Sequence, residues 1–158
     1  MDNLFHSQTY GDLTLELVKE KIAGFIAASP EDKYQIVIGS DSLSKNSEVD
    51  FVSAIVVHRQ GSGAIYFWQR EVKNKKYVLR ERIYEEASLS LELANRFVEV
   101  CLGNGISKYD LEIHVDIGKI GDTREMLNEV VGMVRGSGFV CKVKPDSYAA
   151  SKVADRHT

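Results

Sequence analysis

The chain has 158 residues, 44% of them hydrophobic and 27% charged, with a formal net charge of −3. That length carries one domain with a proper core, and the composition is that of an ordinary globular protein. The acidic balance excludes a protein that coats nucleic acid by bulk charge, but not an enzyme with a local basic rim.

No apolar run is long enough to span a bilayer, and the polar stretch Met1 to Tyr10 lacks a signal-peptide pattern. The expected location is therefore cytoplasmic, with no membrane partner. Cys101 and Cys141 lie far apart, without metal-ligand spacing, and read as buried small hydrophobes.

In chain order, Leu13 to Ser29 reads as an amphipathic helix, with Leu13, Leu17, Ile22, Phe25 and Ile26 at helical spacing and Pro30 as the stop. Residues 1–30 are thus a helical extension with no visible chemistry. Tyr34 to Asp41 reads as the first strand, built on the apolar run Ile36-Val37-Ile38. A polar loop, Ser42 to Glu48, follows. Val49 to His58 and Ala64 to Val72 read as the second and third strands, separated by the turn Gln60-Gly61-Ser62-Gly63. These short connections predict an antiparallel meander.

A long helix is expected from about Tyr77 to Leu102, ended by Gly103 and Gly105. Leu111 to Asp116 reads as a fourth strand. Asp122-Thr123-Arg124-Glu125 has the pattern of a capping box opening a helix to about Arg135. Phe139 to Val143 reads as a fifth strand. Pro145-Asp146-Ser147 opens a last helix carrying Tyr148, Ser151, Asp155 and His157. The order predicts one α/β domain over residues 1–158, with a five-stranded mixed sheet flanked by helices.

Four acids occupy awkward positions in this plan. Asp41 and Asp116 end buried strands, where an unpaired carboxylate costs several kcal/mol and needs a cation, donors or water. For Asp41 the alternative is a turn cap with Ser40 and Ser42; for Asp116 it is the exposed face of an edge strand. On the long helix, the stripe Ile83, Ala87, Ser90, Leu91, Ala94, Phe97, Val98 and Cys101 leaves Glu81 and Glu85 opposite and puts Glu86 at its edge. Glu86 then needs a partner, either a metal or a structural ion pair. Asp155 completes the set on the last helix. Clustered carboxylates repel unless cations lie between them, and oxygen-only ligation favours Mg²⁺ or Mn²⁺ over zinc. Two such ions about 4 Å apart can activate a water and stabilise the leaving oxygen of a phosphodiester.

The stretches Ile38-Gly39-Ser40-Asp41-Ser42, His114-Val115-Asp116-Ile117-Gly118 and Lys144 to Thr158 resemble the YkuK-type family of ribonuclease H-like nucleases. The resemblance spans roughly Gln35 to Thr158. It implies a ribonuclease H-like fold in which Asp41 and Asp116 share the metals, Glu86 holds one and Asp155 completes a site. It further implies a two-metal nuclease acting on RNA, DNA or a hybrid. The alternative is a non-catalytic nucleic-acid- or protein-binding module on the same fold.

Histidine titrates near neutral pH, which makes His114 and His157, the latter two residues from Asp155, candidate proton carriers, while His114 reads better as a surface or packing residue. Lys73, Lys75, Lys76 and Arg80, within the one basic concentration that also holds Arg70 and Arg82, are candidates for binding phosphates, together with Lys152. The bland reading of such a run is a solvated charged hairpin end. Tyr66, Phe67 and Trp68 read as core and flank, and the sequence leaves the oligomeric state open.

Overall fold

The computed structural model describes residues 4–101, 111–118 and 124–147, with Val153 and His157 beyond them. The N-terminus opens as a hairpin, β1 (Phe5–Ser7) and β2 (Gly11–Leu13), ahead of helix α1 (Leu15–Ala27). Three long strands follow: β3 (Tyr34–Lys45), β4 (Glu48–Arg59) and β5 (Ala64–Lys73). Helix α2 (Leu79–Val100) leads to β6 (Leu111–His114). A 3-10 turn (Arg124–Met126), helix α3 (Leu127–Gly136) and β7 (Val140–Lys142) complete the described elements.

The strands form one sheet in the order β2-β1-β5-β4-β3-β6-β7. β3, β4 and β5 make the expected antiparallel meander, and β6 and β7 join parallel to β3. Among the described residues the sheet has seven strands, not five. The two extra strands are the N-terminal hairpin, which docks on β5 through His6 and Trp68. The expected N-terminal helix is present as α1, and a hairpin not expected from the sequence precedes it. Three-residue strands carry no readable periodicity, so their pairing comes from the edge that β5 offers.

The segment read as a polar loop, Ser42 to Glu48, is mostly ladder. β3 and β4 stay paired to Lys45 and Glu48 across a two-residue turn. Asn46 takes φ 53° there, the left-handed conformation that such hairpins require and asparagine tolerates. The third helix starts at Leu127, preceded by the 3-10 turn; Asp122 and Thr123 of the expected capping box lie outside the described residues.

One face of the sheet carries all three described helices. Ile36, Ile38, Ile55, Val57, Phe67, Leu111 and Ile113 pack there against Val18 and Ile22 of α1, Ile83, Ala87 and Phe97 of α2, and Val130 and Val134 of α3. Cys101 and Cys141 are buried free thiols on this side, as expected. On the opposite face Val37, Val56 and Tyr66 pack against Val153. Among the described residues no helix is long and apolar enough to cross a membrane.

Candidate functional site

The site is built from the alternation of β3. Ile36 and Ile38 point at the helices, and so do the next two even residues. The Ser40 hydroxyl lies 2.7 Å from that of Ser53 and 2.8 Å from that of Ser90 on α2. The Ser42 hydroxyl donates to Glu86 Oε2 at 2.5 Å. Asp41, between the two serines, therefore projects to the opposite face, on the side of Val37 and Val153, and is half-buried.

Parallel pairing sets the second acid. Ile36 to Gly39 match Leu111 to His114 one for one, which leaves Asp41 and Asp116 each two residues past the last matched pair. Asp116 itself lies just past β6, in a segment held to β7. The Val115 N–H donates to the Lys142 carbonyl at 2.9 Å, and the Lys144 N–H to that of Ile117 at 3.0 Å. The Lys144 ammonium stands 3.0 Å from Asp116 Oδ1.

The third acid comes from α2. The helix phase read from the apolar stripe holds: Glu86 is 8% exposed, while Glu85 is half-exposed beside Lys73 at 3.9 Å. Arg82, one turn before Glu86, donates to the Ser42 hydroxyl at 3.1 Å and to its carbonyl at 2.9 Å. It thereby orients the hydroxyl that faces the glutamate. Burial pushes the Glu86 carboxyl up to about 8. The Ser42 hydrogen bond opposes that, the charge of Asp41 adds to it, Arg82 opposes it and Asp116 adds again. Glu86 thus feels the charges of both Asp41 and Asp116, and in the absence of a cation it holds its proton through neutral pH.

All three acids offer oxygen only, a donor set suited to Mg²⁺ or Mn²⁺. Among the described residues, no group of three His, Cys, Asp or Glu side chains stands ready to hold an ion. Asp155, the fourth candidate ligand, and Lys152 lie outside the described residues.

His157 is over β5, two strands from Asp41. Its ring stacks on Trp68 with centroids 4.3 Å apart and planes 12° apart, and one ring nitrogen lies 3.4 Å from the Tyr66 hydroxyl. Its carbonyl accepts from Arg70. His114 is fully buried, and its ring meets Glu112 at 3.4 Å; burial lowers its pKa, with Glu112 opposing. Of the two expected alternatives, surface or packing, it takes the packing role. Phe67 lies in the core and Trp68 on the flank, as expected.

The basic candidates are largely occupied by acids. Lys73 meets Glu71 at 3.3 Å as well as Glu85, Lys75 meets Glu81 at 3.8 Å, and Arg80 meets Glu129 at 3.5 Å. Lys76 is exposed. Three residues that shape the site were not singled out as parts of it by sequence reasoning. Ser42 has the look of a turn former, Arg82 of one charge in a basic run, and Lys144 of a tail residue. Arg82 was within reach, since it lies four residues before Glu86 on one helix face.

A model for the ribonuclease H-like family matches residues 17–158. The uncharacterized protein YkuK of Bacillus subtilis (strain 168) is 31% identical to this chain over an alignment of 170 positions, which covers 98% of this chain and 96% of that one. The chain belongs to the YkuK-type ribonuclease H-like family. No solved structure matches it.

Proposed function

We propose that the protein is a divalent-metal-dependent nuclease, located in the cytoplasm, that hydrolyses phosphodiester bonds of RNA, DNA or a hybrid. The observation that carries this reading is Glu86. It is a buried carboxyl that accepts from Ser42 and is raised to about 8 by burial, with the charges of Asp41 and Asp116 adding to the shift. A buried carboxyl that also carries the repulsion of two nearby aspartates is costly, whereas cations bound by these acids would remove both the repulsion and the proton. Asp41 and Asp116 would share the ions, Glu86 would hold one and Asp155 would complete the set. Two bound ions would supply an activated water and a stabilised leaving oxygen. Arg82 and Ser42 fix the Glu86 carboxylate in place. In this reading His157 anchors the terminal segment through Trp68 instead of carrying a proton. Lys76, exposed, and Lys152, outside the described residues, are the basic candidates that remain for phosphates.

The test is cleavage of single-stranded, duplex and hybrid substrates with Mg²⁺ and with Mn²⁺, alongside Asp41→Asn. Cleavage that needs the metal and vanishes in Asp41→Asn supports the assignment; undiminished cleavage by pure Asp41→Asn protein refutes it. A second reading, a binding module without catalysis, draws on the ion pairs that neutralise Lys73, Lys75 and Arg80. Metal-independent binding with no cleavage of any substrate would select it.

A further inference from the structure

We propose that Lys144 is the built-in counter-ion of the acid site, and that a divalent cation binds by displacing its ammonium from Asp116. This rests on the metal reading above.

Backbone pairing, not the side chains, brings the two residues together. Beyond β7 the Lys144 N–H is bonded to the Ile117 carbonyl, and one residue earlier in the other segment comes Asp116. With the backbones laced in this way the ammonium reaches Asp116 Oδ1 at 3.0 Å. The side chains of Lys144 and Asp116 are 55% and 38% exposed. The pair is therefore weak enough to open, and the flexible lysine stem can swing its charge into water. The same oxygen cannot serve an ammonium and a metal ion at once. A monovalent charge held on one ligand also repels an arriving dication. Lys144 thus satisfies Asp116 when no metal is bound and sets how tightly a metal must bind to replace it.

The experiment is Mn²⁺ binding to the full chain, followed by calorimetry at low ionic strength. It compares wild type with Lys144→Met, Lys144→Arg and Lys142→Met. Lys142 lies on β7 opposite His114 and controls for loss of one positive charge in the same neighbourhood. Lys144→Met is expected to tighten Kd about two- to fivefold, the range set by an exposed ion pair. Lys144→Arg and Lys142→Met are expected to stay near wild type. In an Asp116→Asn background the Lys144→Met effect should vanish.

Binding that appears only in Lys144→Met would also support the displacement. Wild type that binds Mn²⁺ while Lys144→Met binds it equally or more weakly overturns the role of Lys144 and leaves the metal site standing. A Lys142→Met gain equal to that of Lys144→Met overturns it as well, because bulk charge then suffices. No binding by wild type or by any variant overturns the metal site and this role together.

Discussion

Replacing Glu86 by glutamine isolates the energetic cost of the buried acid. The amide keeps the shape and still accepts from Ser42, but it cannot ionise. In the folded chain the carboxyl ionises near pH 8; unfolded, it does so near 4.5. Below 4.5 both states carry the proton and the group has no effect on stability. Between 4.5 and 8 the unfolded chain releases its proton and the folded chain keeps it. The native state therefore binds more protons, and stability falls as pH rises. Each pH unit costs about 1.4 kcal/mol in that window, and the loss levels off above pH 8 at a total on the order of 5 kcal/mol. Comparison with Glu86→Gln cancels the other titrating groups.

Urea denaturation with EDTA at pH 5, 6, 7 and 8 measures the difference. The variant should gain on wild type by about 1 kcal/mol per pH unit across the series. Saturating Mn²⁺ should shrink that gain, because the ion stabilises the charged form. A difference between the two proteins that stays flat within about 0.5 kcal/mol from pH 5 to 8 would refute the burial argument and with it the basis for the site.

Two further outcomes follow from the same geometry. Glu85→Gln, next to Glu86 but half-exposed and paired with Lys73 at 3.9 Å, should change stability by less than about 0.5 kcal/mol and leave metal-dependent cleavage intact. A dead Glu85→Gln with an active Glu86→Gln would require the site to be redrawn around Glu85. Millimolar Mn²⁺ should raise Tm over EDTA in wild type by mass action on the native state, and this rise should be smaller in Asp41→Asn. Coincident wild-type melting curves in Mn²⁺ and EDTA would count against the site.

The parts of the fold that were legible in the sequence are those governed by local periodicity. The apolar stripe of α2 has one phase, so it distinguishes adjacent glutamates, and Glu86 is buried as that phase requires. The β-branched runs announced the strands that carry Asp41 and Asp116 but not where those strands end: Asp41, expected at a strand end, lies inside β3, and Asp116 lies two residues past β6. What depends on contacts between distant residues was not legible. The N-terminal hairpin is fixed by the edge of β5, through His6 and Trp68, and not by its own three-residue strands. The arm beyond Asp41 is polar, and only pairing with β4 makes it a ladder. Ser42 meets Glu86 across 44 positions, and Lys144 meets Asp116 only because β7 returns beside β6.

The central strand has a consequence for how the chain avoids misfolding. β3 is clamped between two ladders of opposite sense, antiparallel with β4 and parallel with β6. A slip of β3 by one residue against β4 would exchange its two faces along all twelve residues. Asp41 would then be driven under α2 into the place of a serine, beside the already buried Glu86, with no cation to reconcile them. Ser40 and Ser42 would lose Ser90 and Glu86 and turn outward. The aspartate therefore penalises the wrong register more heavily than any apolar residue could, and the side chain proposed for chemistry also proofreads the assembly of the sheet that displays it.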